Sequence, residues 1–275
     1  MIFENKIYFK KLVKFTSEKN TKLRLDAALV ELGYYDSANK AKRALIAGEV
    51  EINGERNFKP GKNVALALQD KKKELFIGNQ KLKINIRDKC PYVSRGGYKL
   101  AAALDKFNIC PSGMTAYDIG ASTGGFTDCL LQRGAKKVYA IDCGIGQLHQ
   151  KIRNDERVVV MEKTNARHLT KEHFSDAAGI IVIDVSFISL KKIFPVVNKI
   201  GENGTIVVAL IKPQFEVGKG KDLIKGVVKS EKTRKKVTDE IKQFAAELNW
   251  KILGIIESPI IGPAGNHEYL LSAKI

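Results

Sequence analysis

The sequence predicts an α/β domain built around a parallel sheet, with a smaller α+β domain before it. From Met114 onward, hydrophobic strand patterns alternate with helical ones, which is the order expected of a parallel sheet. Upstream of that point, two short amphipathic helices are followed by segments with the alternation of strands. A chain of 275 residues is long for one domain and sufficient for two.

We expect four segments along the chain. Residues 1–21 are rich in lysine and aromatic residues without clear periodicity, and we interpret them as an N-terminal extension. Residues 22–86 form the small domain, residues 87–91 a linker, and residues 92–275 the α/β domain.

Two helices open the small domain. The first is expected to end at Gly33, and its apolar face is formed by Leu25, Ala28, Leu29 and Leu32. The second is capped by Asp36 or Ser37 and stops at Gly48, and it is predicted to bury Ala38, Ala41, Leu45 and Ile46. Its basic side chains, which project toward solvent, are Lys40, Lys42 and Arg43.

A hairpin is predicted next. Residues 49–54 alternate and end in Asn53-Gly54, a dipeptide that strongly favours a two-residue hairpin turn. Val64, Leu66 and Leu68 then alternate as a further strand. Two helices followed by paired strands therefore make up the predicted small domain.

Two stretches of the small domain resemble the S4 RNA-binding domain. They read R-L-D-A-A-L-V-E-L-G at residues 24–33 and S-A-N-K-A-K-R-A-L-I-A-G-E-V-E-I-N-G at residues 37–54. The resemblance implies contacts to phosphate or ribose from Arg24, Lys40, Lys42, Arg43 and Asn53, and we add Arg95 of the following domain. The alternative is an ordinary module with a solvated basic face.

The charge of the chain favours a polyanionic partner. Lysine and arginine number 47 against 30 acidic residues, a formal net charge of +17. Basic side chains that neutralise phosphates release condensed counterions, so nucleic acid is the first candidate. A solvated, lysine-rich surface without a partner explains the charge equally well.

Signals for membrane, secretion and metal are missing from the sequence. No apolar run reaches the roughly 18 residues of a membrane span, and no signal peptide is recognisable, so we expect a cytoplasmic protein. The four cysteines are scattered, and no histidine pairs with a cysteine or carboxylate at ligand spacing. We therefore expect reduced thiols and no metal.

A glycine-rich turn follows the first strand of the α/β domain. Glycines let the backbone approach a ligand at the carboxyl end of that strand. The predicted cofactor contacts in this turn are Asp118, Gly120, Ala121, Ser122, Thr123, Gly124, Gly125 and Phe126. Asp142 ends the second strand, 22 residues after Gly120, where an acid can accept hydrogen bonds from a ribose diol.

The turn favours S-adenosylmethionine (SAM) over a dinucleotide. It reads D-x-G-x-S-x-G-G instead of G-x-G-x-x-G, and the negative charge of Asp118 suits a sulfonium or amino group but repels a pyrophosphate. Asn165, after the third strand, could read the adenine edge. Capping a helix explains the same residue equally well.

Four polar side chains stand beside predicted strand ends or loops of the α/β domain: Lys99, Asp184, Lys212 and Glu268. Asp184 follows a nearly uninterrupted apolar run, which is typical of a buried central strand, and we also expect it to contact the cofactor in the crevice at the end of that strand. Singly, such residues are usually solvated lysines or capping acids. Together, in this order across a SAM-binding fold, they suggest one catalytic site.

The chain resembles the TlyA, or hemolysin A, family from about residue 24 to its end. The most specific pieces are Y-V-S-R-G-G-Y-K-L at residues 92–100, D-I-G-A-S-T-G-G-F-T-D-C-L-L at 118–131, T-N-A-R at 164–167, D-V-S-F-I-S at 184–189 and K-P-Q-F-E at 212–216. The resemblance implies a Rossmann-like, FtsJ-like SAM-dependent methyltransferase domain behind an S4 domain. It also implies methylation of cytidine ribose 2′-hydroxyls in ribosomal RNA of one or both ribosomal subunits.

In FtsJ-like enzymes, a Lys-Asp-Lys-Glu tetrad carries 2′-O-methylation, and the matching positions are Lys99, Asp184, Lys212 and Glu268. A ribose hydroxyl needs proton removal and close positioning before it can attack the methyl group. We assign Lys212 as base or oxyanion stabiliser, Lys99 as a group that holds substrate, and both acids as positioning groups. The sequence leaves open which lysine performs which task.

Three alternatives remain at this point. Methylation of a base is one, although the chain has neither an N-P-P-Y-like motif nor a cysteine nucleophile pair for cytosine. A non-catalytic RNA-binding or hemolysin-like protein is the second. The third concerns residues 219–225 alone, which could grip substrate or form a solvated loop.

Overall fold

The computed structural model describes residues 21–56, 58–69, 72–78, 80–86, 90–218, 223–262 and 265–275. The chain forms two compact units, Met1–Lys89 and Cys90–Ile275. The expected extension lies outside the described residues, except for Thr21, which begins the first strand. Residues 87–89 of the expected linker also lie outside them, and Cys90 and Pro91 belong to the second unit.

The first unit combines two helices with two small antiparallel sheets. Its elements are β1 (Thr21–Arg24), α1 (Leu25–Glu31), α2 (Ala38–Ala47), β2 (Val50–Ile52), β3 (Asn63–Gln69), β4 (Lys72–Ile77), β5 (Gln80–Lys81) and β6 (Ile84–Ile86). One sheet has the order β1-β3-β4-β5, and the other pairs β2 with β6. The helices and both sheets share one apolar cluster, which includes Leu25, Leu29, Leu45, Ile52 and Leu75.

Helix α2 begins and ends as the sequence predicts, but its buried face is different. Ser37 caps it by accepting a hydrogen bond from the Lys40 N–H, and Gly48 ends it in the left-handed conformation at φ 73°. The buried residues are Ala41, Ala44 and Leu45. The prediction for Ala38 and Ile46 was wrong, because both are exposed and Ile46 lies about 100° around the helix from Leu45.

The predicted hairpin after residue 54 is replaced by a longer-range pairing. Asn53 and Gly54 do form a turn with positive φ, and Ile52 bridges Glu55. However, β2 pairs antiparallel with β6, with Val50 opposite Ile86. The Asn53-Gly54 dipeptide favours the turn. The strand that pairs with β2, however, depends on which strand edge lies next to β2 in the folded unit.

The second unit is an α/β fold around a seven-stranded sheet. Its elements are α3 (Gly96–Lys106), β7 (Thr115–Ile119), α4 (Gly125–Gln132), β8 (Lys137–Ile141), α5 (Gln150–Arg153), β9 (Val158–Met161), β10 (Ile180–Ile183), α6 (Phe194–Ile200), β11 (Ile206–Ile211), α7 (Pro213–Glu216), β12 (Leu223–Ile224), β13 (Val227–Val228), α8 (Glu231–Glu247), β14 (Lys251–Glu257) and β15 (Tyr269–Lys274). The sheet has the order β14-β15-β11-β10-β7-β8-β9. Strands β7 to β11 are parallel and β15 is antiparallel to both neighbours, which confirms the predicted fold class.

Apolar side chains cover both faces of this sheet. On β10, Ile181 and Ile183 join one buried cluster, whereas Ile180 and Val182 join the other. This two-sided burial explains the uninterrupted apolar run in the sequence. The strand order reverses between β7 and β10, and such a switch point opens a crevice at the carboxyl ends of the strands.

Within the described ranges, no helix combines the length and the apolar character needed to cross a membrane. Those same ranges contain no group of three or more His, Cys, Asp or Glu side chains arranged to hold a metal ion.

Candidate active site

Three residues of the predicted tetrad lie on neighbouring strands at one edge of the sheet. Asp184 follows β10, Lys212 follows β11, and Glu268 immediately precedes β15. Since Ile211 is paired with Tyr269 in an antiparallel register, Lys212 and Glu268 lie next to each other at the ends of adjacent strands. Adjacent strands are about 4.8 Å apart, so the topology brings these side chains into one small region.

The tetrad forms two ion pairs. Lys99 Nζ donates to Glu268 Oε2 at 2.5 Å, and Lys212 Nζ lies 2.6 Å from Asp184 Oδ1. Each lysine side chain is only 11% exposed, so both ammonium groups are largely removed from bulk water. The Lys212 contact with Asp184 lacks the direction of a hydrogen bond, and the ammonium instead donates to Ser186 Oγ at 2.8 Å.

Close packing between the starts of α3 and α4 delivers Lys99 to Glu268. A Cβ at Gly125 would lie 2.2 Å from Ser94 Oγ and 3.1 Å from the Gly97 nitrogen. The buried carboxylate of Asp128 also accepts the Val93 N–H at 2.8 Å, which holds the segment before α3 against α4. Glycine is therefore needed where the two helices meet.

Glu268 is fully enclosed by the chain that precedes it. Its side chain is 0% exposed, and Oε1 has no hydrogen-bond partner within the described part of the protein. A Cβ at Gly262 would lie 2.3 Å from Oε1, so the backbone of Gly262 covers the carboxylate. Sequence reasoning missed Gly262, because nothing local marks a residue that must approach a side chain from another turn.

The hairpin β12–β13 is attached to the same segment. Asn266 donates from Nδ2 to the Gly226 carbonyl at 3.0 Å and accepts the Val228 N–H at 3.2 Å. Residues 219–225 were expected to form either a substrate-gripping loop or a solvated loop. Residues 219–222 of this stretch lie outside the described residues. Its end, from Leu223, belongs to this anchored hairpin.

A cavity of about 790 Å³ lies at the carboxyl ends of β7, β8 and β10. Of the predicted cofactor residues, it is lined by Gly120, Ser122, Asp142, Asn165 and Asp184. The lining that the sequence reasoning missed includes Cys143, Gln147, Arg167, Phe187 and Phe215. The other predicted contacts of the turn do not line it. Thr123 is exposed, and the buried ones are Asp118, Ala121, Gly124, Gly125 and Phe126.

The geometry of the turn requires glycine at residue 120. Gly120 has φ 88°, and a Cβ there would lie 2.6 Å from the Asp184 carbonyl oxygen. The turn after β7 therefore touches the loop that carries Asp184. This contact places the cavity directly beside half of the tetrad.

Asp142 is held in place by the backbone around the cavity. Its Oδ2 accepts the Ser122 N–H at 2.8 Å, and its Oδ1 accepts the Gly144 N–H at 2.7 Å. A carboxylate has about four lone-pair sites, so acceptor capacity remains on each oxygen. The side chain can therefore accept hydrogen bonds from a diol without losing its own support.

Asp118 is a buried carboxyl group with an unused oxygen. Oδ2 accepts the Thr127 hydroxyl at 2.6 Å, whereas Oδ1 is buried and has no hydrogen-bond partner among the described residues. Burial, together with the charges of Asp184 and Asp142, raises the pKa of Asp118 to about 7, and the hydrogen bonds with Thr127 oppose this rise. A cationic group nearby would relieve the cost of ionisation, so the site fits the sulfonium or α-ammonium group of SAM.

Asn165 serves as a cap. Its Oδ1 accepts the Arg167 N–H at 3.1 Å at the start of the 3-10 turn Ala166–His168. The side chain is exposed and lines the cavity. Capping uses only the amide oxygen, so the cap does not conflict with a contact from the amide nitrogen to a ligand.

An exposed aromatic residue at the cavity was not anticipated. Phe187 is 90% exposed, adopts φ 62°, and its ring centre lies 4.9 Å from that of Phe215. A large apolar side chain in a left-handed conformation at the surface is unusual and costs free energy. The signal was present in the motif D-V-S-F-I-S, where a phenylalanine stands four residues after the end of β10.

The basic residues expected to contact RNA have mixed environments. Arg24 forms a two-point ion pair with Asp26, and Lys40 pairs with Asp36. Asn53 lies in the turn and accepts the Lys83 N–H at 2.7 Å. Lys42 and Arg43 are exposed on α2, and Arg95, in the second unit, is the half-buried N-cap residue of α3.

Comparison with known proteins identifies both units. Residues 92–275 match the family described as FtsJ-like methyltransferase, and residues 23–66 match the S4 domain. The 16S/23S rRNA (cytidine-2′-O)-methyltransferase TlyA of Mycobacterium tuberculosis is 42% identical over 248 residues, or 90% of this chain and 88% of that protein. Hemolysin A of Brachyspira hyodysenteriae is 41% identical over 249 residues, or 90% and 98%.

A solved structure shows the same architecture. It is described as a hemolysin from Streptococcus thermophilus, is 42% identical to this chain, and superposes with a TM-score of 0.69. The match covers 92% of this chain and 88% of that one. The similarity therefore extends over both units.

Proposed function

We propose a function from one established premise: the chain belongs to the FtsJ-like methyltransferase family and carries an S4 domain before it. The proposed reaction is transfer of a methyl group from SAM to a ribose 2′-hydroxyl of ribosomal RNA. The observation that carries it is the pair of enclosed lysine–carboxylate contacts, Lys99 with Glu268 and Lys212 with Asp184, at the edge of the sheet beside the cavity.

The cavity residues suit each part of SAM. Asp142 would accept hydrogen bonds from the ribose diol, and Asn165 would contact the adenine edge. Asp118, which is buried and does not line the cavity, would balance the positive charge of the sulfonium or α-ammonium group through electrostatic attraction. Gly120 and Ser122 supply the backbone surface of the turn. When bound, SAM supplies an electrophilic methyl group on its sulfonium centre.

The tetrad residues act on the RNA hydroxyl. We assign Lys212 to the 2′-hydroxyl, where it either accepts the proton or stabilises the developing oxyanion. Lys99 holds the substrate, and Asp184 and Glu268 orient the two amines. Their low exposure excludes water, which strengthens each of these electrostatic contacts.

The proposed substrate is cytidine ribose in 16S rRNA, 23S rRNA or both, within cytoplasmic ribosomal particles. Two observations support RNA as the partner: the S4 domain and the net charge of +17. The relative from Mycobacterium tuberculosis is named for methylation of 16S and 23S rRNA, which supports this substrate class.

Purified protein should transfer labelled methyl groups from SAM to ribosomal subunits or rRNA. Lys212→Ala is expected to reduce the transfer rate at least about 100-fold while preserving SAM affinity, because it removes a group that acts only on the hydroxyl. The matched control is Lys251→Ala, which removes an exposed lysine at the start of β14. Digestion of the RNA product to nucleosides and mass spectrometry then locate the methyl group.

Three results would reject the proposal. Label on a base would assign the protein to base methylation. Unchanged methyl transfer by Lys212→Ala and by Asp184→Ala would remove the tetrad from the chemistry. A protein that binds RNA tightly and transfers no methyl group to any ribosomal particle would be a binding module.

A further inference from the structure

A glutamate outside the tetrad connects the two loops that carry Asp184 and Lys212. Glu216 lies on α7, one helical turn after Lys212, and its carboxylate reaches the loop after β10. Its Oε2 accepts the Ser189 hydroxyl at 2.6 Å, and its Oε1 accepts the Leu190 N–H at 2.8 Å. One side chain therefore fastens both loops at positions four to six residues beyond the ion pair.

Both ends of this connection are rigid. Ser189 Oγ also accepts the Lys191 N–H at 3.1 Å, which caps a 3-10 turn, and the Leu190 side chain is buried in the core. On the other side, Pro213 begins α7 and is itself buried, so Lys212 and Glu216 are separated by one short, fixed turn.

Burial of this carboxylate is costly unless its oxygens are hydrogen-bonded. Burial raises the pKa of Glu216, and the hydrogen bonds from Leu190 and Ser189 oppose that rise. The neighbouring charges are Lys191 and Glu240, which pair with each other at 3.0 Å and leave the two hydrogen bonds of Glu216 undisturbed. The carboxylate is thus used within the protein as a double acceptor.

We propose that Glu216 is a positioning residue that sets the contact between Asp184 and Lys212 by clamping their two loops together. This inference rests on the proposed function for its kinetic consequences. The contact itself is a property of the fold and can be measured without any methyl transfer. A displacement of about 1 Å between reacting groups can cost about 100-fold in rate, so a small movement of either loop is sufficient.

Three variants separate positioning from general stability. Glu216→Ala removes both hydrogen bonds, and Ser189→Ala removes one of them. Glu216→Gln keeps a carbonyl oxygen for the Leu190 N–H and an amide that can donate to Ser189 Oγ. The matched control is Glu240→Ala, which removes a nearby exposed carboxylate that contacts neither Ser189 nor Leu190.

We expect kcat for ribosomal substrate to fall about 10- to 100-fold in Glu216→Ala and about 3- to 10-fold in Ser189→Ala. KM for SAM should change less than about 3-fold in Glu216→Ala, because Glu216 does not line the cavity and the cavity residues Asp142 and Asn165 are untouched. Glu216→Gln should restore most of kcat, and Glu240→Ala should match the wild type.

The second readout is carbon-13 NMR of the lysine ε-methylene groups, with Lys212 identified by the loss of its signal in Lys212→Arg. In the wild type, Lys212 should have a signal distinct from those of exposed lysines. That signal should move toward the exposed group in Glu216→Ala and in Ser189→Ala, and should keep its position in Glu216→Gln. If the wild type transfers no methyl group, the proposed function fails while this measurement still decides the clamp.

Two results would overturn the inference. One is an unchanged Lys212 signal together with unchanged kcat in Glu216→Ala, or in Ser189→Ala if the first variant does not fold. The other is that Glu216→Ala and Glu216→Gln lose kcat and stability to the same extent and that both have a raised KM for SAM. That result would indicate a purely structural role for Glu216.

Discussion

Asp118, near the end of β7 and two residues before the cavity-lining Gly120, is under opposing physical demands. Its carboxyl group is fully buried, with one oxygen bound to Thr127 and the other without a partner among the described side chains. When such a buried carboxyl group is ionised, it lowers the free energy of unfolding of the protein. It also prepares a site that a cation can neutralise, so the cost in stability is linked to ligand binding.

The raised pKa of Asp118 makes the free energy of unfolding depend on pH. The carboxyl has a pKa of about 7 when folded and an ordinary value of 3.8. Between these values the unfolded chain binds fewer protons than the folded protein, so this group's contribution to stability falls as pH rises and levels off above about pH 7. Chemical denaturation across this pH range measures the free energy of unfolding of both proteins. As pH rises, the value for Asp118→Asn should increase relative to that of the wild type, by at most about 1.4 kcal/mol per pH unit.

The comparison with Asp118→Asn cancels the titration of other groups. A constant difference between the two proteins from pH 4 to pH 8 would contradict the assigned pKa. Calorimetry of SAM binding supplies a second check, because neutralisation by a cation should make binding release protons near pH 6 in the wild type and not in the variant.

At the scale of elements, close approaches of backbone and side chain decide where the tetrad lies. The starts of α3 and α4 meet through Gly97 and Gly125, and Gly262 covers the carboxylate of Glu268. The first of these contacts joins two separate helices, the second closes a short loop before β15, and Lys99 and Glu268 are 169 residues apart in sequence. The ion pair between Lys99 and Glu268 therefore depends on packing between elements more than on either residue's own neighbours.

Gly125→Ala is expected to disturb the site through this packing. An added Cβ would lie 2.2 Å from Ser94 Oγ and would press on the Gly97 backbone, so α3 must shift and carry Lys99 away from Glu268. Overpacking of this kind costs about 1–3 kcal/mol. We expect a lower thermal unfolding temperature and slower methyl transfer than in the wild type.

Gly218→Ala is the matched control, because no atom lies within 4 Å of its Cβ position and its φ is not in the left-handed region. This variant should retain stability and activity. Equal behaviour of Gly125→Ala and Gly218→Ala would show that the contact between α3 and α4 tolerates displacement.

At the scale of the whole molecule, two units contribute different parts of the proposed function. The S4 unit presents exposed basic side chains on α2, and the methyltransferase unit contains the tetrad and the cavity. A net charge of +17 supplies attraction for RNA that does not depend on sequence. Mutations should therefore be able to change RNA affinity without changing SAM binding or methyl transfer on bound RNA, and the reverse.

Replacement of Lys40, Lys42 and Arg43 by alanine should weaken RNA binding without changing SAM affinity. Each phosphate contact contributes about 0.7 to the salt dependence of affinity on single-stranded nucleic acid, so the slope should decrease by up to about 2. Binding of an rRNA fragment across a series of salt concentrations measures this slope.

A variant with alanine at Lys235, Lys236 and Lys242 of α8 loses the same net charge from another exposed surface. It should affect the slope less than the α2 variant. If both variants weaken RNA binding equally, the total charge matters and the S4 face has no specific part.

Local patterns in the sequence were sufficient to predict most elements and to indicate the candidate residues that the structure places at the cavity and in the two ion pairs. Helical periodicity located α1 and α2, and the apolar run located β10 at the centre of the sheet. The D-x-G-x-S-x-G-G turn and the acids at the ends of β8 and β10 indicated the cavity. These predictions succeeded because period, turn chemistry and strand burial are encoded within a few consecutive residues.

The sequence by itself determined the fold class and the order of most elements, and it supplied the candidate residues for the proposed chemistry. Only the tertiary structure decided that β2 pairs with β6, that Lys99 pairs with Glu268, and that Glu216 joins the loops of Asp184 and Lys212. Pairing depends on which strand edges and helix faces remain available after the whole chain has packed. That information is distributed over the molecule, so no local window of sequence contains it.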